Sequence, residues 1–470
     1  MATKGKIKIQ PANKGGIFGY IATATIFFAL GILSFILILI DEIPGSSPPQ
    51  TYGEALAGIL EGLLLAVFGI TGALAKYWWV ILLLVIGLTV LGFLVGWLLL
   101  VLVAKLGHIL VYAGCVVYIV GAIIGAIVAF ATLGAAGSIT PLVPAALLLI
   151  TIVTNFKKLQ RAGEFMKFTG QVVLAEKGMI IAPLFVTGMS ILSGLAMISI
   201  FARIVLWFPG AVFGYILASI ASLIQLVIYF GMFYAAEGVN TTYAYEWYRK
   251  RDPDMKFCLR NVAGNFGAIF LFGIATAFVS WLQQVLRNTA ASAKGKGGLI
   301  LAIIARIVAA VLGFIWKYLT YFTLPAIVVE GRGFKDGVTR SFDLLKRYYM
   351  DVLIRETGVE RGFAIVQWIS FFIYGVVGAL TGLIVWQTTS LSLAAGLLVC
   401  IIPALLFANV PTFFIFRPMK TAYLTFVFAY AQDEETSFKL PTRMPRELRG
   451  DLKEAGKSLD PDKSIANMYG

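Results

Sequence analysis

The chain has 470 residues, of which 59% are hydrophobic and only 13% are charged, and its apolar residues form long uninterrupted blocks. One helical bilayer crossing needs about 20 apolar residues, so this composition excludes a water-soluble domain. The formal net charge of +14 is carried by Lys and Arg in short segments between the blocks. Such residues mark the cytoplasmic side of a membrane protein, so we expect no nucleic-acid partner. The sequence predicts an all-α, polytopic transmembrane helical bundle.

The N-terminal part predicts the orientation of the first crossing. Residues 1–16 contain four Lys and are predicted to be a cytoplasmic basic N-terminus. The apolar run 17–40 lacks a small-residue cleavage site and is predicted to be a retained first span. The following residues 41–53 contain no Lys or Arg, so we place them outside.

Two segments leave the number of crossings open. Residues 54–76 are long enough to span but carry Glu54 and Glu61, and residues 140–154 are short and contain two prolines. The basic segment that starts at residue 155 must return to the cytoplasm, so one of the two does not cross alone. We favour 54–76 as an outer-surface or re-entrant helix. Clear spans are expected at 77–104 and 109–131, separated by a polar break at 105–108.

The second half predicts the remaining spans and the tail. Residues 330–361 contain seven Lys or Arg and are predicted to be a cytoplasmic loop. About ten crossings, with both termini in the cytoplasm, place the basic segments on the cytoplasmic side. The transmembrane domain is predicted to comprise residues 17–416. The tail 417–470 is predicted to be partly interfacial and then solvated. The further spans are 179–202, 204–235, 262–286, 299–329, 362–387 and 391–416.

Motifs for chemistry are absent from the sequence. The single histidine, His108, lies at a predicted span end and is interpreted as an interfacial residue. The three cysteines lack the spacing of metal ligands, and no phosphate-binding loop or nucleophile motif occurs. We therefore expect no enzyme activity, no cofactor and no metal.

Aromatic and acidic residues within or beside the spans are the candidates for binding a substrate. Trp and Tyr faces hold quaternary ammonium groups by cation–π contacts, and ionisable residues in a membrane are costly enough to indicate function. An aromatic belt at the membrane interfaces is the alternative interpretation of the aromatic residues. The predicted substrate-binding residues are Trp281, Trp316, Tyr321, Glu237 and Glu330.

Four separated stretches resemble the choline transporter-like family. Two are apolar stretches that begin at residues 77 and 147. The third is TYAYEWYRKRD from residue 242, which matches at Trp247, Tyr248, Arg251 and Asp252. The fourth matches at Gly331, Phe334, Phe342, Leu344 and Leu345.

The resemblance implies ten spans with both termini inside. This chain departs from the family in a short outer segment at 41–76 and in Tyr-Phe-Thr at 321–323. The chain also resembles uncharacterised prokaryotic multi-pass membrane families that share a Pro, Gly, Arg-Ser loop, here Pro325, Gly331, Arg340 and Ser341.

The resemblance and the candidate residues together predict a secondary transporter of choline or a related small organic cation, working by alternating access in the cell membrane. The alternative is a non-catalytic membrane scaffold or lipid-associated protein whose basic cytoplasmic loops contact anionic lipids. Substrate identity, coupling ion and oligomeric state are left open by the sequence.

Overall fold

A computed structural model describes residues 73–133, 156–184, 212–292, 295–388 and 393–435, Thr442, Arg443 and scattered single residues. Most of the predicted first span, of 54–76, of 140–154 and of the predicted span 179–202, and the tail beyond residue 443, lie outside the described residues. The helices are α1 (Ala73–Leu133), α2 (Phe156–Ala175), α3 (Val212–Tyr248), α4 (Met255–Gly264), α5 (Phe266–Ser292), α6 (Gly295–Leu319), α7 (Thr323–Glu330), α8 (Phe334–Thr388), α9 (Leu393–Phe407) and α10 (Arg417–Glu435), with a π-helix at Thr412–Phe416.

Five stretches of described helix are long and apolar enough to cross a bilayer. Their mean hydropathy follows from runs of Leu, Ile, Val, Phe and Ala, whose side chains are stable in hydrocarbon. This confirms the prediction of a helical multi-pass membrane protein, whereas ten crossings and cytoplasmic termini stay predictions. The five stretches are Ile86–Val128, Ser219–Tyr248, Phe266–Asn288, Ile304–Glu330 and Val359–Gln387.

Helix α1 is continuous through residues 105–108, so the polar break predicted there is wrong. No proline interrupts this stretch, and Gly107 lies where α1 packs closely on α2. A Cβ at Gly107 would lie 2.7 Å from the backbone nitrogen of Lys167, and one at Gly163 would lie 2.4 Å from the Cα of His108. Gly107 and His108 therefore belong to a glycine-lined helix contact and not to a turn.

Two helices extend beyond the spans predicted from hydropathy. Helix α3 continues past residue 235 to Tyr248, and α8 begins at Phe334 and passes through the predicted basic loop. Residues 334–361 contain no proline that would break a helix. The negative charge of Asp336 in the first turn of α8 also stabilises the helix by its interaction with the helix dipole. Gly331, with φ of 66°, ends α7 in the left-handed conformation that allows the chain to turn into α8.

The chain divides into two compact units. The first contains residues 181–346 and 424–442, in which α3 packs against α5 and α7, and α6 packs against α5. Helices α3 and α5 approach closely at Gly231 and Gly273, where a Cβ on Gly273 would lie 2.9 Å from the Gly231 backbone nitrogen. The C-terminal half of α10 is part of this core, with Phe426 and Phe428 fully buried.

The second unit contains residues 61–180 and 347–423. Hydrogen bonds join its helices within the apolar interior. The Tyr374 hydroxyl donates to the Leu88 carbonyl at 3.2 Å, and the Gln367 amide donates to the Asn409 side-chain oxygen at 3.2 Å. Such bonds satisfy polar groups that lipid cannot.

Candidate functional site

An aromatic cluster joins α3, α5, α6 and the start of α8 in the first unit. Phe272 lies at its centre, and its ring centroid is 4.2 Å from that of Tyr234, 6.4 Å from that of Trp316 and 6.2 Å from that of Phe334. Phe233 contacts Tyr234 edge to face at 5.1 Å. We call these five residues the aromatic cluster. It forms because two consecutive aromatic residues on α3, Phe233 and Tyr234, lie beside aromatic residues of the helices packed against α3.

Glu237 lies one turn after Phe233 and Tyr234 on α3, so its carboxylate shares a helix face with the aromatic cluster. Its side chain is half-buried. The predicted span 204–235 ends just before Glu237. In the structure α3 continues to Tyr248, so Glu237 lies within the helix and not at its end. It lies roughly 16 Å along the axis from Tyr248, which is about half the thickness of a bilayer core.

The indole of Trp316 is held in place by a hydrogen bond. Its Nε1 donates to the Thr276 hydroxyl oxygen at 3.3 Å, and that hydroxyl donates to the Phe272 carbonyl at 2.9 Å. These two hydrogen bonds hold the Trp316 ring in its position within the aromatic cluster. Of the predicted site residues, Trp316 is therefore part of the aromatic cluster, and Glu237 follows the α3 members of the cluster by one turn.

The other three predicted residues make different contacts. Trp281 packs against Phe278 on the same helix, with ring centroids 6.0 Å apart. Tyr321 is buried beside Phe322, in an edge-to-face contact at 4.8 Å. Glu330 ends α7 and pairs with Arg332 and Arg340. The role of these three in binding stays a prediction.

A polar network joins the ends of α3, α7 and α10 to the start of α8. Arg340 Nη1 donates to Glu435 Oε1 at 2.9 Å, and Arg340 Nη2 donates to Glu330 Oε1 at 3.3 Å. The hydrogen bond to Glu435 raises the pKa of the Arg340 guanidinium above its ordinary value, and burial opposes this only in part. Both carboxylates therefore face a permanent positive charge.

The most buried part of the polar network is the pair Arg249 and Asp433. The two side chains are 2% and 0% exposed and are joined through Arg249 Nη1 and Asp433 Oδ1. The Tyr248 hydroxyl donates to Asp433 Oδ2 at 2.9 Å. Burial lowers the pKa of Arg249, but Tyr245 and Asp433 offset this and leave the pKa raised. The Arg249 guanidinium therefore stays positively charged although it is buried.

A family model described as plasma-membrane choline transporter matches residues 139–435. The match covers more than half of the chain and includes the aromatic cluster and the polar network. The chain belongs to the choline transporter-like family. No curated protein matches the chain over any part of its length.

The family assignment confirms the resemblance inferred from the motifs. This choline transporter-like protein is an integral multi-pass membrane protein of a transporter family, so its surroundings are lipid and its family acts on small molecules. The family motif at 247–252 now has a structural explanation in part, since Tyr248 bonds to Asp433 and Arg251 Nη1 donates to Glu246 Oε2 at 2.9 Å.

The sequence interpretation of this choline transporter-like protein missed Arg249 and Asp433. Arg249 lies inside the WYRKRD stretch, but it is not among the residues of that stretch that match the family. Asp433 follows the aromatic and apolar run of α10 in a segment assigned to the tail. The signal in the sequence for a buried ion pair is an acidic residue directly after such a run, because a carboxylate on a buried helix needs a positively charged partner.

Proposed function

We propose that this protein is a secondary transporter that moves choline or a related small organic cation across the cell membrane by alternating access. The observation that carries the proposal is the position of Glu237 one turn from Tyr234, whose ring meets Phe272 at 4.2 Å. A carboxylate beside aromatic faces is the combination that replaces the water around an organic cation. The family match supports transport as the activity.

In the proposed mechanism, a cation leaves water and binds between the faces of the aromatic cluster. The ring quadrupoles attract the ammonium group, while Glu237 supplies the balancing negative charge in a medium of low dielectric constant. Trp316 contributes the face with the strongest attraction, and its bond to Thr276 keeps that face oriented. Trp281 and Tyr321 are proposed to line the route to and from this position.

The polar network is proposed to close the inner side of the route. Glu330 and Asp433 hold Arg340 and Arg249 by charge-assisted bonds in the closed state. Such bonds stabilise one of two arrangements of the helix ends, and opening requires them to separate. In this proposal Glu330 acts at the gate, near the end of the substrate's path, and Glu237 acts at the central site.

Uptake of radiolabelled choline by proteoliposomes that contain the purified protein tests the proposed function. Saturable uptake without ATP, inhibited by unlabelled choline and by related cations, is the expected result. Liposomes without protein give the background. Uptake no greater than this background, from a protein shown to be folded, would exclude the transporter and favour the scaffold that binds anionic lipids through its basic segments.

A further inference from the structure

Asn240 is a fully buried side-chain amide on α3 without a hydrogen bond to the described part of the chain. Its relative exposure is 0%, and neither Oδ1 nor Nδ2 has a hydrogen-bond partner among the described residues. Burying a donor and an acceptor without partners costs roughly 1–3 kcal/mol for each group. Because this free-energy cost is large, a buried amide without partners indicates that a bound ligand completes its hydrogen bonds.

Two neighbouring buried amides, those of Asn261 and Asn265, do have hydrogen-bond partners. Asn261 Nδ2 donates to the Thr242 hydroxyl oxygen at 3.1 Å and to the Val328 carbonyl at 3.2 Å. Asn265 Nδ2 donates to the Asn261 carbonyl at 3.0 Å. These two amides join α3, α4 and α7, and their bonds explain their presence. Asn240 makes no such bond within the described ranges, so a hydrogen bond between those helices does not account for it.

The position of Asn240 points to the proposed cation site. It follows Glu237 by three residues on α3, and residues at this spacing are neighbours on one helix face, about 5–6 Å apart at Cβ. The same face carries Phe233, one turn before Glu237 and two turns before Asn240, and the Phe233 ring contacts the Tyr234 ring of the aromatic cluster. An aromatic ring, a carboxylate and the Asn240 amide therefore follow one another along a single stripe of α3.

The chemistry of an amide limits the ligand group that satisfies it. Oδ1 accepts up to two hydrogen bonds, and Nδ2 donates up to two. A hydroxyl both donates and accepts, so it satisfies the two atoms, whereas a carboxylate only accepts and a methyl group does neither. A short linker between the hydroxyl and the ammonium group matches the one-turn spacing between Asn240 and Glu237.

We propose that Asn240 binds the hydroxyl group of an amino-alcohol cation whose ammonium group lies at Glu237 and the aromatic cluster, and so selects hydroxylated cations. This inference rests on the proposed transport function and adds the residue that determines specificity. The amide is closed off from solvent, which fits an occluded site that a substrate enters when the helices open.

The test compares choline with propyltrimethylammonium, which has a methyl group in place of the hydroxyl. Uptake of each labelled cation is measured in proteoliposomes with wild-type protein, Asn240→Leu and Asn240→Ala. We expect the wild type to prefer choline by about tenfold or more. In both variants the preference should fall to about one, because choline loses affinity and propyltrimethylammonium does not.

Propyltrimethylammonium uptake shows whether each variant folds, and Asn240→Ala serves if the Leu variant does not. Gln283→Leu is the matched control, because it removes an amide whose Nε2 donates to the Ala309 carbonyl at 3.4 Å, and it should keep the choline preference. An unchanged preference in the Asn240 variants, or an equal loss for both cations, would overturn the inference and leave the transport function standing. Uptake of neither cation by wild-type protein would overturn the transport function as well.

Discussion

Arg249 and Asp433 form an ion pair inside the protein, between the end of α3 and the end of α10. They are 184 residues apart in the sequence, and Tyr248 donates a further hydrogen bond to the same carboxylate. Charges with so little access to water are stable only while they are paired. The pair therefore couples the correct docking of α10 to the stability of the first unit.

Substitution of Asp433 by Asn should destabilise the protein strongly. The change leaves the Arg249 guanidinium buried without its counter-charge, and losing one partner of a buried pair costs about 3–5 kcal/mol. Denaturant unfolding in detergent micelles measures the free energy. The double variant Arg249→Met with Asp433→Leu should recover much of the loss, because it removes both charges.

The control for this prediction is Glu360→Gln. Glu360 pairs with Lys420 at 3.5 Å, but the two side chains are 47% and 44% exposed. Exposed pairs contribute at most about 1 kcal/mol, so this change should be small. If Asp433→Asn costs no more than Glu360→Gln, the Arg249 pair is hydrated and does not hold α10 in place.

Substitution of Glu237 by Gln should weaken cation uptake without loss of folding. The amide keeps the shape of the carboxylate but removes the charge that balances the substrate, and a bond to a charged group contributes about 1.5–3 kcal/mol. The concentration of choline at half-maximal uptake should therefore rise about tenfold or more. Glu360→Gln, far along the sequence and on the surface, should leave uptake unchanged. Equal uptake by Glu237→Gln and wild type would remove Glu237 from the site.

Substitution of Trp316 by Leu should also reduce uptake. The variant keeps an apolar side chain but loses the ring face and the bond to Thr276, and cation–π contacts contribute about 0.5–2 kcal/mol. A several-fold loss of apparent affinity is expected in the same proteoliposome assay. Trp368→Leu is the matched control, since Trp368 is 66% exposed on α8. A similar effect of both changes would indicate a general loss of folding and would contradict a specific role for Trp316.

Substitution of Gly163 by Ala should destabilise the contact between α1 and α2. The added methyl group would lie 2.4 Å from the His108 Cα, and the backbone cannot give way easily. Such overpacking costs about 1–3 kcal/mol. Gly121→Ala has open space around it and should be neutral or stabilise the helix by up to about 1 kcal/mol. If both variants unfold at the wild-type denaturant concentration, the helices do not pack through Gly163.

The sequence was sufficient for those properties that depend on local composition. Long apolar runs identify membrane helices because the transfer of each side chain into hydrocarbon is nearly independent of its neighbours. The family followed from short motifs such as WYRKRD, and the model match confirms it. Glu237 and Trp316 were found as candidates because a carboxylate or an indole within a span is unusual wherever the helix packs.

The ends of the helices could not be read from hydropathy. Helix α3 continues to Tyr248 and α8 begins at Phe334, although the residues concerned are polar or charged. Their helical state depends on backbone hydrogen bonds and on packing against other helices, whereas a hydropathy window only reports where lipid contact ends. The expected break at 105–108 was wrong for the same reason.

Composition and short motifs are enough to identify this chain as a helical membrane protein of the choline transporter-like family and to show which residue types are available for binding a cation. They do not show which of these residues meet. The packing of the helices brings the Phe272 ring against those of Trp316 and Tyr234, pairs Arg249 with Asp433 and leaves Asn240 buried without a bond to the described residues. Contacts between residues on different helices depend on how whole helices pack, and no local property of the chain specifies that packing.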